Sequence, residues 1–506
     1  MRGSARVILA ALLLAGLSCV AAVPAAAQDG SGAFYHAAAD RDGHYVVPGL
    51  TWARAGSMRL QAGFDGRVDG PVDAQPLHWR PPGAAHGWLI VATARNTVAA
   101  LDTITGREIW RRTLGAPVAA ATLPCGDIDP VGITGTPVID AAAGRVYLDA
   151  LVDRQGQAAH LLFGLALRTG EVLPGWPLDI AVALGARGMA FDPAVQEQRG
   201  ALALLDGRLY VPFGGYFGDC GAYHGWVVGI TLPLPAVFGA WATHARKGGI
   251  WAPGGIASDG HALFAATGNT AGAAQWGGGE AVLRLPPDLR WQADAAGFFA
   301  PTDWAALDAH DLDLGGTAPL PLDLPDASQP LPLLLALGKD GNAYLIDRLH
   351  PGGIAAPLAR AHVADSSLIT APAAWREGRE LMVALQARRG LCPSGAPADG
   401  VLALRITPGT PPAIRPAWCA PFAGRGAPIV TTATAGADPI VWVVGAEGDL
   451  QLHGFRGDTG APVFGGGGAA ERMAGLHRFA TVLAAEGRLY VAGDGRIYAF
   501  GMAAAP

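Results

Sequence analysis

The stretch 88–118, WLIVATARNTVAALDTITGREIWRRTLGAPV, constrains the fold more than any other part of the chain. Residues 89–93 are a short apolar run of mostly β-favouring residues. Ala94, Arg95 and Asn96 turn the chain, and Val98, Ala100 and Ile109 mark a second strand and its return. Asp102-Thr103-Ile104-Thr105-Gly106 links the strands. The Asp102 carboxylate can accept backbone N–H bonds in an Asx-type turn there, and Gly106 can take positive φ. Trp110 then delivers a large apolar ring to the gap between neighbouring sheets. A unit this small cannot bury its own face, so it needs copies stacked beside it.

Weaker copies follow. FGLALRTGEVLPGW (163–176) keeps Thr169-Gly170 and Trp176, GWVVGITLPLPAVFGAW (225–241) and EAVLRLPPDLRW (280–291) keep the terminal Trp, and DLQLHGFRGDTGAPVF (449–464) keeps Asp458-Thr459-Gly460 with Phe464 for Trp. NAYLIDRLHPGG (342–353), GVLALRITPGTPPAIRPAW (400–418) and GRIYAFGM (495–502) complete the set. The copies start near 98, 163, 226, 281, 343, 401, 450 and 497, and each interval suits a four-stranded antiparallel sheet with loops of varying length. RVYL at 145, RLYV at 208 and 488, ALFA at 262 and the run 333–337 supply strands ahead of the copies. Helical periodicity is almost absent; 194–203 could make a turn of helix, but Arg199-Gly200 interrupts it. The expectation is all-β: an eight-bladed β-propeller, or seven blades if one weak copy is a loop excursion. The last copy ends before its outer strand, so an N-terminal arm, 28–67, is expected to supply it and close a propeller over 68–502.

Residues 1–27 read as a secretory signal: Arg2 and Arg6, an apolar core over 7–17 too short to span a bilayer, and an A-x-A site at Ala25-Ala26-Ala27. A lipid anchor on Cys19 is the weaker reading, because Gly16 stands where an aliphatic residue is expected. No later stretch has the length of a membrane helix, so the product is expected to be exported, to the periplasm or beyond. Removing two Arg and no acid takes the net charge from −6 to −8, against nucleic acid as a partner. Four cysteines remain, Cys125, Cys220, Cys392 and Cys419, and in an oxidising compartment an even number suggests two disulfides. Of three possible pairings, Cys392–Cys419 as a local clamp and Cys125–Cys220 as a bridge between blades are favoured; buried free thiols are the alternative. No C-x-x-C indicates a redox or zinc motif.

The pattern A-L-D-x-x-T-G-x-x-x-W at 100–110 resembles the tryptophan-docking repeat of quinoprotein alcohol dehydrogenase-like propellers, the pyrroloquinoline quinone (PQQ) repeat, over nearly all of 68–501. The resemblance implies the propeller fold, with Asp102, Thr105, Gly106 and Trp110 as blade-locking residues. In catalytic members a quinone stacks on a Trp in the central channel. A Glu, an Asn and an Asp surround Ca²⁺, which polarises the quinone, an Asp acts as base, and a Lys or Arg contacts the quinone carbonyls. GGIWAPGGIASDGHALFAATGN (248–269) is similar to the segment carrying the floor Trp and the calcium Asn, which implies Trp251 and Asn269. GKDGNAYLIDR (338–348) is similar to the segment carrying the quinone-contacting cation, which implies Lys339. PTDWAALDAHDLDLGG (301–316) is acid-rich where the base belongs, with Asp311 and Asp313 the candidates, Asp303 behind them, and Asp311 also a calcium candidate. Two departures stand out. GDCGAYHGW (218–226) has Tyr223 at the calcium Glu position, and a neutral phenol lacks the charge Ca²⁺ needs. Cys125 is followed by Gly126, so the family's adjacent-cysteine ring cannot form. No C-x-x-C-H indicates a fused haem domain.

Each residue also has a structural reading. Trp251 can be a blade-packing ring, Asn269 a turn cap, Lys339-Asp340-Gly341 a hairpin tip, and 308–313 an exposed or calcium-binding loop without redox chemistry. His224 and His310 are candidate channel liners. The sequence thus supports an exported PQQ-repeat propeller, monomeric, that binds a small molecule or protein at its channel or top face, in a non-catalytic or uncharacterised binding or scaffold role. The alternatives are a divergent PQQ- and calcium-dependent alcohol or sugar dehydrogenase and an outer-membrane assembly scaffold.

Overall fold

Sheets apolar on both faces can be buried only by packing one against the next. In the computed structural model, which describes 32–503 except 273, 327–328 and 435, the repeats do this by closing a ring. Among the described residues the strands assemble into eight sheets, numbered here as blades in chain order: 77–113, 138–179, 203–242, 257–301, 320–362, 373–421, 429–465, and 482–502 with Met58–Leu60. Each copy identified in the sequence is the third strand of its blade; Thr97–Asp102, for example, pairs antiparallel with Trp88–Ala92 and Glu108–Thr113. The eighth blade takes its outer strand from the N-terminal side, where Met58–Leu60 pairs antiparallel with Arg496–Met502. Three blades depart from four strands. Gln196–Glu197 joins the third and Gly353–Ala355 the fourth, while His44–Val46 pairs parallel with Ile429–Thr432 on the inner side of the seventh.

The core lies between blades. One cluster holds Ile90 and Ala92 of blade 1 against Val146 and Leu148 of blade 2; others join blades 3 and 4, 5 and 6, and 6 and 7. A further cluster runs from Trp442 of blade 7 through Tyr490 of blade 8 to Leu89 of blade 1, so apolar packing crosses the closing seam. A polar clasp reinforces that seam. The Glu486 carboxylate accepts from Gly87 N at 2.8 Å, Thr103 Oγ1 at 2.6 Å and Arg80 Nη2 at 2.5 Å. Burial opposes its ionisation, but hydrogen bonds from His78, Thr103 and Arg80 outweigh burial and hold its pKa well below the usual carboxylate range.

The repeat's turn is an Asx turn. Asp102 Oδ1 accepts from Ile104 N at 3.0 Å, Thr105 N at 2.7 Å and Thr105 Oγ1 at 2.8 Å, and Gly106 sits at φ +69°. Trp110 crosses to the second blade, donating from Nε1 to Leu167 O at 2.8 Å, with its ring against Gly170 where a Cβ would clash. Trp418 repeats this on the seventh blade, with Gly457 O at 2.7 Å and Gly460 beneath the ring. Disulfides join Cys392 to Cys419 within blade 6 and Cys125 to Cys220 between the loops of blades 2 and 3. The stretch 194–203 is extended rather than helical, and the helices are short: Trp52–Ala55, Ile180–Gly185 and Trp304–Ala309. The signal stretch 1–27 lies outside the described residues.

The first strands of the blades surround the ring axis, and residues 32–47 fill the channel between them. This arm bonds to one inner strand after another: Gly32 O accepts from His78, Ala33 O from Ile139, Ala39 O from Ser258, Asp42 O from Ala374 and Gly43 O from Val430. Its tip turns at Phe34–Ala37, with His36 and Ala37 at positive φ. Arg41, 3% exposed, donates to backbone carbonyls only: Ile256 O from Nε at 3.1 Å and Nη2 at 2.8 Å, Leu202 O at 2.8 Å and Tyr35 O at 3.3 Å.

Candidate functional site

Residues that lead into several inner strands line a cavity of about 620 Å³. Its walls come from separate blades: Asp73 ahead of the first, Glu197 and Arg199 ahead of the third, Ile369 ahead of the sixth and Phe479 ahead of the eighth. The arm closes it from below. Tyr35 packs on Ala201, Ala371 and Ala427, and the first two follow the cavity-lining Arg199 and Ile369 by two residues.

Trp251, Asn269, Asp311, Asp313 and Lys339 all line this cavity. Asp313 is their hub. Its carboxylate accepts from Trp251 Nε1 at 3.1 Å and from Asn269 N at 2.7 Å, and lies 2.6 Å from Lys339 Nζ. Lys339 Nζ also lies 2.9 Å from Asp311 Oδ1 and 5.4 Å from the centroid of the Trp251 ring. Lys339 stands at a hairpin tip whose turn uses Gly341 at φ +75°, and it lines the cavity from there. Burial lifts the Asp313 pKa, and Lys339 only partly counters this. For Lys339, burial is outweighed by Asp313 and Asp311, so its ammonium is held more firmly than usual.

Beneath Asp313 lies Glu280, fully buried, whose Oε2 accepts from Leu314 N at 2.6 Å while Oε1 has no partner among the described residues. Burial, then the charge of Asp313, pushes its carboxyl up to about 9, so it is neutral at pH 7. Glu197, on the opposite wall, is pushed up to about 7 by burial and by Asp127 and Asp73, against the pull of Arg199. The sequence reading missed Glu280, Glu197 and Arg199. A signal existed for the last two: they are charged residues in the short run before a blade's first strand, where Asp73 also falls.

Several expected placements do not hold. Asp303 pairs with Arg360 at 2.9 Å and does not line the cavity. His224 bonds Thr243 O at 2.9 Å through Nδ1, and His310 is exposed and bonds Ala306 O, so neither is a cavity liner. Calcium between Asn269 and Asp311 is not supported by the donor set. The Tyr223 hydroxyl donates to Asp219 Oδ1 at 2.6 Å, Asp219 pairs with Lys247 at 3.2 Å, and Lys339 holds both Asp311 and Asp313. Among the described residues no group of three or more His, Cys, Asp or Glu is placed to hold a metal. Charge also disfavours a flat polycarboxylate such as PQQ. Seven carboxylates line the cavity (Asp73, Asp127, Glu197, Asp219, Asp311, Asp313 and Glu447) against three Lys or Arg side chains, so an anion would enter against the local field.

Residues 51–207 match the family model described as PQQ_2, outer membrane protein assembly factor BamB. No curated protein matches the chain. Quinohemoprotein alcohol dehydrogenase from Comamonas testosteroni is similar in structure, with a TM-score of 0.64 at 15% identity over 95% of this chain and 82% of that one. Quinohemoprotein alcohol dehydrogenase ADHIIG from Pseudomonas putida HK5 gives 0.66 at 15% identity with the same coverage. BamB from Moraxella catarrhalis gives 0.50 at 14% identity over 89% of this chain and 99% of that one. At these identities the structural likeness is one of fold. The chain is thus an eight-bladed β-propeller whose residues 51–207 carry the PQQ-type repeat of that family model.

Proposed function

We propose that the chain is an exported binding propeller whose cavity takes a small molecule without redox chemistry. The observation that carries this reading is Lys339, whose ammonium lies 2.6 Å from Asp313 and 2.9 Å from Asp311. The carboxylates that a quinoprotein would use as base and metal ligand are already engaged by the protein's own ammonium. Trp251 is retained as an aromatic wall for a ligand. The quinone- and calcium-dependent dehydrogenase is the reading this argues against. The purified protein, incubated with PQQ and Ca²⁺, should reduce no acceptor dye with alcohols or sugars. Alcohol-dependent dye reduction would overturn the proposal.

A second reading is favoured by the description of the family model over 51–207: a periplasmic assembly scaffold, with a protein partner on the outer or top surface. Pull-down of unfolded outer-membrane barrels from periplasmic extract supports it. Ligand binding in the cavity with no such capture favours the first.

A further inference from the structure

Building on the reading of the cavity as a ligand site, we propose that its ligand is an organic cation, held at the wall formed by Glu197, Asp127, Tyr216 and Phe217. The argument starts from which charges are already matched. Lys339 is held by Asp311 and Asp313, and Arg478 pairs with Glu447 at 3.1 Å. Arg199 is anchored by Thr134 O at 3.0 Å, lies 3.9 Å from Asp73 and stacks 5.7 Å from the Phe479 ring. Asp219 has Lys247. Among the described residues no cation lies within ion-pair distance of Glu197 or Asp127, although both line the cavity.

A second observation is independent of charge. Tyr216 lines the same wall, is 2% exposed, and its hydroxyl has no hydrogen-bond partner among the described residues. Its side chain packs among Val118, Leu123, Val131 and Leu151 behind that wall. The surface beside it is aromatic. Phe217, 67% exposed, stands at the cavity edge on the loop that the Cys125–Cys220 disulfide secures, with Tyr223 and Trp251 further along the wall. Carboxylates for the charge and π faces for the methyl or methylene groups around it are what an ammonium ion needs. An inorganic divalent ion would leave the aromatic surface unused.

The strand Gln196–Glu197 holds Glu197 in place through its pairing with Gly214 and Gly215. Gln196 braces it, donating from Nε2 to Gly214 O at 3.1 Å and His224 O at 2.8 Å. Burial and the neighbouring Asp127 and Asp73 already raise the proton affinity of Glu197; a bound cation would relieve that repulsion.

The test is isothermal titration calorimetry on the purified protein with putrescine, choline and benzyltrimethylammonium. The neutral choline isostere 3,3-dimethylbutan-1-ol serves as control, and PQQ with Ca²⁺ is titrated in parallel. At least one ammonium probe should bind at a single site, with the neutral isostere at least about tenfold weaker. Glu197→Gln and Asp127→Asn should each weaken the probe at least about fivefold without lowering the melting temperature. Equal binding of the neutral isostere, binding unaffected by both substitutions, or no binding by any ammonium probe overturns the cation assignment. Failure of the broader reading has its own signature: PQQ binds and dye reduction becomes alcohol-dependent.

Discussion

The arm-filled channel and the cavity at its mouth are walled by adjacent residues of the same inner strands, yet they treat charge in opposite ways. In the channel the buried cation Arg41 is satisfied by four hydrogen bonds to backbone carbonyls. Burial lowers its pKa to about 10, still far above neutrality. Further out, at the level of Arg199, carboxylates outnumber cations, and two of them, Asp127 and Glu197, have no ion-pair partner among the described residues. In the channel the buried charge is matched by the backbone, although the Tyr35 and Tyr45 hydroxyls and His36 Nδ1 have no hydrogen-bond partner among the described residues. The cavity keeps polar groups the fold does not need, and a fold retains such groups at a cost in stability.

The largest effect that tests this contrast is covalent. Cys125–Cys220 closes a loop of 95 residues and Cys392–Cys419 one of 27. In the chain-entropy view, replacing the first pair by Ser should cost about 4–5 kcal/mol and the second about 3–4 kcal/mol, read by chemical denaturation. The first replacement should also loosen the Phe217 loop and weaken cavity ligands; the second should leave ligand binding unchanged. Arg41→Ala comes next. It strips carbonyls in the channel of a charged donor and should cost about 3 kcal/mol, with cavity binding reduced because Tyr35 underlies it. A loss under about 1 kcal/mol would mean the arm is not integral to the channel.

The smallest effect is pH-dependent. In the folded state Glu280 titrates at about 9 against an ordinary 4.5, so the native protein keeps a proton that the unfolded chain releases. Its favourable contribution is full below about pH 4.5 and is lost as pH rises toward 9. Glu280→Gln, already neutral, should therefore stabilise the protein by up to about 3 kcal/mol at pH 7 and change little at pH 4. Equal effects at both pH values would contradict the burial of an ionisable group beneath Asp313.

The sequence makes the ring legible because its signal is repeated. Asp102 to Trp110 states the turn and docking ring once clearly, and Gly170 and Gly460 receive Trp110 and Trp418 where any Cβ would clash. The cluster of Trp251, Asn269, Asp313 and Lys339 is legible only through resemblance, since those residues lie 88 positions apart from first to last and meet through blade packing. The arm's path is hidden for a different reason. Residues 32–47 are held mainly by backbone hydrogen bonds to successive inner strands, and such bonds leave little mark on side-chain pattern. Glu280 looks like an ordinary strand-edge acid. Only the fold reveals that it lies fully buried beside Asp313.

Equilibrium dialysis of the purified protein against micromolar PQQ, with Ca²⁺ and with EDTA, tests the central claim most directly. The account predicts no retained quinone in either condition, because Lys339 engages both Asp311 and Asp313 and Tyr223 replaces the third ligand. Stoichiometric retention with Ca²⁺ that is abolished by EDTA would contradict it.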